Sequence, residues 1–200
     1  MMVVAAAAAF SPVLIGDAYA FKLFGITIFG KEEDEGEQVP DPVRYHVDLR
    51  ADTVDPDLKE ALENSSRLLS DQKLPVSGDL GIVVKARDDR ERLIAALYEK
   101  ARYGGLVTIT IDGKNIDDLP PNPTFDRSGP IPVTVDIAPG PVFKVREVQF
   151  GGDAANHNPA DYDLAPGAQA GSLAIIKAGD KIVEQLKSEG RPFAKLTERK

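Results

Sequence analysis

Closely spaced carboxylates are the side chains in this sequence that come nearest to an acid-base pair. Asp48 with Asp52, and Asp55 with Asp57, are spaced so that one carboxyl could donate a proton while the other accepts one. They flank a predicted strand end and a predicted helix start, however, where solvated acids commonly have structural roles. Ser172, a candidate nucleophile, has no positioned histidine beside it and is interpreted as a helix cap. We therefore predict no catalytic residues.

The composition also argues against metal and cofactor sites. The 200 residues contain no cysteine and two histidines, His46 and His157, which excludes thiolate zinc sites and leaves little for an imidazole cluster. No glycine-rich stretch has the spacing of a phosphate-binding loop. With 24 basic and 32 acidic residues the formal net charge is −8, so general binding to nucleic-acid phosphates is not expected. These features predict a binding or assembly module that is not an enzyme and that uses no cofactor or metal.

The N-terminal residues have the pattern of an exported protein. An apolar stretch over 3–16 precedes Ala18-x-Ala20, which predicts a signal peptide over 1–20 with cleavage after Ala20. No Lys or Arg precedes residue 22, so a buried alanine-rich helix of a cytosolic domain stays open as the alternative. Residues 21–43 are predicted to be an acidic linker, because the one positive and six negative charges from 31 to 41 cannot bury surface.

Alternating apolar and polar residues then predict three strands, each burying one face. The strands are residues 44–51, 106–112 and 131–138. Asp112-Gly113 is a turn signal, and the segment 113–130 that follows contains four prolines, which exclude a helix. A loop of this length is either a binding loop or a mobile one.

Two helices are predicted between the first two strands. Apolar residues recur at helical spacing over about 55–71, with Pro56 suited to the first turn. Residues 73–86 contain a proline and two glycines and are predicted to be a connector. A second helix is expected to begin where Asp88 or Asp89 caps it and to end before Gly104. Residues 44–138 therefore form a β-α-α-β-β domain.

The same order begins again after residues 139–141. The pattern predicts a strand over 143–150, a helix that Ser172 opens, and a strand over 192–197, with no further strand in the sequence. The predicted fold class is α+β, with tandem β-α-α-β-β units in which a small three-stranded sheet packs on two helices. The second domain, 142–200, is expected to be truncated before its last strand, so we expect the natural protein to continue beyond residue 200.

Five short stretches are distinctive when taken together and in order. They are DDRERLIAALY at 88–98, ARYGG at 101–105, PGPVF at 139–143, AGSLA at 170–174 and EGRPFA at 189–194. These stretches, with the tandem β-α-α-β-β pattern, resemble the polypeptide-transport-associated (POTRA) domains of the TamA family, the outer-membrane subunit of the translocation and assembly module, in its alphaproteobacterial form. The resemblance covers about residues 45–200.

This resemblance implies a function at the periplasmic face of the outer membrane of a Gram-negative bacterium. Proteins of the family help to insert or export outer-membrane proteins such as autotransporters. The implied partners are a TamB-like protein anchored in the inner membrane, unfolded outer-membrane protein clients, and the outer membrane itself through a C-terminal β-barrel. A nucleic-acid partner is not implied. The alternative is a free periplasmic scaffold or ligand-binding protein without a barrel.

The resemblance also indicates where partners would bind. In POTRA domains the second strand is an edge of the sheet, which corresponds here to 106–112. The predicted partner-binding residues are Leu106, Thr108, Thr110 and Asp112. An extended client segment could add to this strand through backbone hydrogen bonds. The alternative is that the 113–130 loop covers the edge.

Overall fold

The computed structural model describes residues 22–23, 26–27, 39–51 and 55–198. The chain divides into two units, Met1–Gln38 and Val39–Lys200. In the first unit, β1 (Lys22–Leu23) and β2 (Ile26–Thr27) pair in an antiparallel manner. The predicted signal peptide, its cleavage after Ala20 and most of the acidic linker lie outside the described residues.

The second unit is built on a four-stranded mixed sheet in the order β4-β8-β6-β7. β4 (Tyr45–Arg50) runs parallel to β8 (Ile131–Ala138), which pairs antiparallel with β6 (Leu106–Ile111). β7 (Lys114–Asn115) returns along the C-terminal end of β6. The three longer strands lie within one residue of their predicted bounds, and the α+β class with β-α-α-β-β order is confirmed for this part of the chain.

The first predicted helix is observed as two. α1 (Pro56–Ser65) begins after Asp55, whose carboxylate accepts a hydrogen bond from the Leu58 amide at 2.9 Å. α2 (Arg67–Ser70) follows after Ser66, which has an extended backbone with ψ 115° and whose hydroxyl accepts from the Leu69 amide. The prediction of one continuous helix over 55–71 was therefore wrong, because Ser66 ends one helix and caps the next.

The segment predicted to be a connector is largely helical. α3 (Gly78–Glu99) begins ten residues before Asp88, and neither Asp88 nor Asp89 caps it. Ile82, Ala86 and Leu93 are all buried on one stripe of α3. Packing of this stripe against the sheet stabilises the helix in spite of the low helix propensity of its glycines. β5 (Val76–Ser77) precedes α3 and pairs with β3 (Pro42–Val43), which places the last two residues of the predicted linker in the folded unit.

The main core lies between the helices and one face of the sheet. Its fully buried larger side chains are Leu58, Leu62, Leu68, Ile82, Leu93, Leu97, Ile109, Ile111, Ile116, Ile131, Val133 and Val135. The 113–130 loop contributes Ile116 and Phe125 to this core. Arg127 of the loop donates to Asp41 at 2.7 Å and to Asp79 at 2.9 Å. The loop therefore packs on the unit along its length.

Residues 139–198 have a second, smaller core. It contains Val145, Ala154, Tyr162, Leu164, Ala178, Ile182 and Leu186. Two 3₁₀ helices, Gly152–Ala154 and Pro159–Tyr162, precede α4 (Ser172–Ser188), which confirms the predicted helix. Gly171 is the residue at its N-cap, so Ser172 opens the helix without capping it.

The strands predicted over 143–150 and 192–197 are not observed. The first of these segments forms only a single bridge, between Lys144 and Gln169, beside a hydrogen bond from the Val145 amide to the Ala168 carbonyl. The reason is that an alternating segment becomes a strand only where another strand pairs with it. Within the described residues, no helix is long and apolar enough to cross a membrane.

Candidate functional site

The two sides of β6 differ in what they contact. The Asp112 amide donates to the Pro132 carbonyl at 2.9 Å, and the Ile109 carbonyl accepts from the Ile116 amide at 3.1 Å on the opposite side. Because backbone groups alternate in direction along a strand, even-numbered residues of β6 bond to β8 and odd-numbered residues point outward. The outward groups of β6 therefore belong to Val107, Ile109 and Ile111.

A tight hairpin covers the C-terminal half of this edge. Asp112 and Gly113 have φ angles of 50° and 73°, the conformation of a two-residue turn for which Asp-Gly is favoured. The turn directs the chain back so that Lys114 pairs with Ile111. Ile116 continues the pairing and is fully buried. The edge is thus closed from Ile109 onward by the chain's own next residues.

The N-terminal half of β6 is open. We name residues 106–108 the open edge. The Leu106 side chain is 68% exposed, Thr108 is exposed and Val107 is half-buried. Among the described residues, none pairs with the outward backbone groups of Val107. Two of the four predicted binding residues, Leu106 and Thr108, lie on the open edge, whereas Thr110 and Asp112 lie beside the hairpin.

The opposite edge of the sheet is less accessible. The Ile131 amide donates to the Arg44 carbonyl at 2.9 Å, so the outward backbone groups of β4 belong to Tyr45, Val47 and Leu49. Tyr45 and Val47 are only 3% and 5% exposed. Leu49 is half-buried, so this edge offers less exposed surface than Leu106 and Thr108 provide on β6. The open edge of β6 is therefore the better candidate for binding an extended segment.

Tyr103, which precedes the open edge in the chain, contacts two other aromatic side chains. The ring of Tyr103 is 5.0 Å from that of Tyr98 and 5.7 Å from that of Phe143, measured between centroids. Tyr98 and Phe143 are 39% and 45% exposed. Burial and the neighbouring Tyr98 raise the pKa of Tyr103, so its hydroxyl stays protonated at neutral pH. We name these three residues the aromatic cluster.

The comparisons with known proteins include a weak structural likeness. No protein-family model matches the chain, and no curated protein matches it significantly. A crystal structure of Haemophilus influenzae BamA POTRA3-5 is similar over 73% of this chain, with a TM-score of 0.42 and 12% sequence identity. The match covers 50% of that structure.

Of the acids considered for catalysis, Asp48 and Asp55 have structural contacts. Asp48 accepts from Arg50 at 2.8 Å, whereas Asp52 lies outside the described residues. Asp55 caps α1, and the hydrogen bond from the Leu58 amide is the main cause that lowers its pKa. Asp57 lies in the first turn of the same helix, where a negative charge is favourable.

The two histidines have different surroundings. His46 is exposed on the face of the sheet that turns away from the helices. Nδ1 of His157 lies 2.7 Å from the Tyr162 hydroxyl, and its Nε2 lies 3.7 Å from a Glu189 oxygen. Among the described residues, no group of three or more His, Asp or Glu side chains is arranged to hold a metal ion.

Asp89, which the sequence pattern predicted at the start of a helix, has a different position in the structure. Asp89 lies inside α3 and is fully buried. Its carboxylate accepts hydrogen bonds from the Ser66 hydroxyl at 2.7 Å, from the Leu68 amide at 3.2 Å and from the Arg67 amide. Asp89 thus binds the N-terminus of α2, a helix that lies earlier in the chain.

Proposed function

We propose that the folded unit is a periplasmic polypeptide-binding region that assists the assembly or export of outer-membrane proteins. Two features support this proposal. The sequence stretches at 88–98 and 101–105 resemble POTRA domains, and the β-α-α-β-β order expected from them is present in residues 45–138. The single observation that carries the proposal is the open edge beside Val107, where an extended segment finds unpaired backbone groups.

Strand addition at this edge would be brief and independent of the client's sequence. Val107 offers one outward N–H and one outward C=O, and each backbone hydrogen bond contributes about 0.5–1.5 kcal/mol net. Apolar contact with the exposed Leu106 side chain adds to this, at roughly 25 cal/mol for each Å² that is buried. Such weak attachment suits a region that holds many clients in turn and releases them.

The finer part of the proposal depends on the sequence resemblance alone. It assigns the protein a TamA-type role at the periplasmic face of the outer membrane, with autotransporters among its clients. A TamB-like protein anchored in the inner membrane would be the partner that shares this task. Co-purification of the chain with a TamB-like protein from envelope extracts tests this part separately from client binding.

Client binding can be tested by site-specific photocrosslinking. A photoreactive residue at position 106 should crosslink an outer-membrane β-barrel protein that is diluted from urea into the purified chain. The matched control is the same residue at position 132, because Pro132 is exposed but lies on the central strand β8. Equal crosslinking at both positions would contradict a specific edge.

A proline at position 107 tests whether backbone hydrogen bonds are responsible. Val107→Pro removes an N–H that points outward, so the variant should fold and lose the crosslink. Thr108→Pro removes an N–H directed at β8 and should unfold the sheet, which provides the contrast. A folded Val107→Pro variant that crosslinks as the unaltered chain does would refute strand addition. Hydrogen exchange gives an independent measurement, since the Val107 amide should become protected only when client is present.

A further inference from the structure

The sheet-bearing part and the α4-bearing part of the folded unit meet at a small set of residues. Three segments take part, 99–105, 139–143 and 170–171, and we name them the joint. The Phe143 amide donates to the Ala101 carbonyl at 2.7 Å, and Nη1 of Arg102 donates to the Gly140 carbonyl at 2.6 Å. The Tyr103 hydroxyl donates to the Ala170 carbonyl at 2.6 Å. Hydrogen bonds therefore connect the first segment to both of the others.

Two glycines allow the backbones in the joint to approach one another closely. A Cβ atom on Gly171 would lie 2.3 Å from the Glu99 carbonyl oxygen. Gly140 has a φ of 66°, and a Cβ atom there would lie 2.9 Å from the carbonyl carbon and oxygen of Gly104. Both distances are well inside van der Waals contact, so a larger residue could be accommodated only if the backbones moved apart. The end of α3 and the start of α4 are thus held in direct contact.

The aromatic cluster restrains the side chain of Tyr103, whose hydroxyl donates one of these hydrogen bonds. Tyr103 is held between Tyr98 and Phe143, and the planes of Tyr103 and Phe143 are inclined at 85°, an edge-to-face contact. Rotation of the Tyr103 side chain would lose both ring contacts and the hydrogen bond to Ala170 together. The ring packing therefore helps to hold α4 near the end of α3.

We propose that the joint is a rigid coupling that keeps α4 in one orientation relative to the main sheet. The sequence of the Pro-Gly-Pro segment at 139–141 would also be compatible with a flexible linker between two parts that move independently. The contacts at 101, 103, 140 and 171 oppose such rotation, because any large change of angle separates donors from acceptors in all three segments. The main sheet and α4 then move as one body.

The distance between two spin labels tests this coupling in the full chain. The sequence contains no cysteine, so Glu63→Cys and Lys187→Cys provide labelling positions without background. Glu63 is exposed on α1, and Lys187 is exposed on α4. A rigid coupling predicts a single narrow distance distribution by double electron-electron resonance. A broad distribution in the otherwise unaltered chain would overturn the proposal.

Variants of the joint sharpen the test. Gly171→Ala should shift and widen the distribution, because its methyl group cannot fit beside Glu99, whereas Gly151→Ala should leave it unchanged since a Cβ there meets no atom within 4 Å. Tyr103→Phe removes one hydroxyl and should widen the distribution while the circular dichroism spectrum stays the same. If Gly171→Ala does not fold, the Tyr103→Phe result decides alone. An unchanged distribution in folded Tyr103→Phe would refute the coupling.

Discussion

Replacement of the buried Asp89 should destabilise the protein far more than replacement of the exposed Asp88 beside it on the same helix. The Asp89 side chain is fully buried, and its carboxylate accepts from the amides of Arg67 and Leu68 and from the hydroxyl of Ser66. These donors form the N-terminus of α2, whose residues otherwise have few backbone partners. The carboxylate therefore stabilises a helix of only four residues and fixes it against α3.

The magnitude follows from the donors that a substitution leaves without acceptors. Asp89→Ala deprives two backbone amides and one hydroxyl of their acceptor, and each unsatisfied buried group costs about 1–3 kcal/mol. Counting the two amides alone, we expect a loss of about 2–6 kcal/mol. Asp89→Asn keeps one acceptor oxygen and should lose less, about 1–3 kcal/mol.

Urea unfolding followed by far-ultraviolet circular dichroism measures this loss. With a slope of about 2 kcal/mol per molar urea, a loss of 4 kcal/mol lowers the unfolding midpoint by about 2 M. Asp88→Ala is the matched control, because Asp88 precedes Asp89 on the same helix but is exposed, and its change should stay within about 0.5 kcal/mol. The reasoning is refuted if Asp89→Ala unfolds within about 0.3 M of the unaltered chain.

Three further predictions concern stability and its dependence on pH. Gly105→Ala places a methyl group 2.8 Å from Cδ1 of a buried leucine and should cost about 1–3 kcal/mol in thermal or urea unfolding, whereas Gly129→Ala meets open space and should be nearly neutral. The buried Tyr45 hydroxyl makes no hydrogen bond with any of the described residues, so Tyr45→Phe should be at least as stable. Burial raises the pKa of Tyr45, so the unfolded chain loses the phenol proton at a lower pH than the folded chain does. Stability is therefore unaffected below the usual value of 10.0 and falls as pH rises through the raised value, and urea midpoints in this alkaline range should fall less for the Phe variant. Hydrogen bonds from Arg127 lower the pKa of Asp41 below its usual value of 3.8, so their contribution is present above that value and lost as pH falls through the lowered one. Arg127→Gln should therefore weaken the acid dependence of the unfolding midpoint, and an acid titration identical to that of the unaltered chain would contradict this assignment.

The three long strands of the main sheet could be predicted because their signal is local. In β8, buried Ile131, Val133 and Val135 alternate with residues that face away from the core, and the same alternation is visible in the sequence. Asp112-Gly113 likewise specifies a tight turn through its own backbone preference. Neither feature needs a distant residue to be recognised.

The helix boundaries could not be predicted in the same way. Gly78 and Gly81 are poor helix formers, and the sequence pattern therefore placed a connector where α3 begins. Burial of Ile82 and Ala86 against the sheet outweighs that local preference. The segment 143–150 shows the converse, since it alternates as a strand would but forms only one bridge.

The candidate site also has features that the sequence predicted and features that it did not. The sequence resemblance predicted that β6 is an edge strand, and in the structure Leu106 and Thr108 lie on either side of Val107, whose outward backbone groups are unpaired among the described residues. The sequence did not show that the hairpin after Asp112 would return along the other half of that edge. It also contained no sign of how residues 99–105 would meet residues 170–171, because contacts across so many positions depend on the relative placement of α3 and α4.

By itself, then, the amino-acid order determined the α+β class, the three long strands of the main sheet, the turn at Asp112 and the helix that begins at Ser172, since each arises from neighbours along the chain. Only the tertiary structure decided how much of the sheet edge stays open, where α3 begins and which donors Asp89 binds. The physical reason is that pairing, burial and close backbone contact are properties of groups brought together by folding. A sequence pattern specifies which face of an element is apolar, but not which other segment comes to cover it.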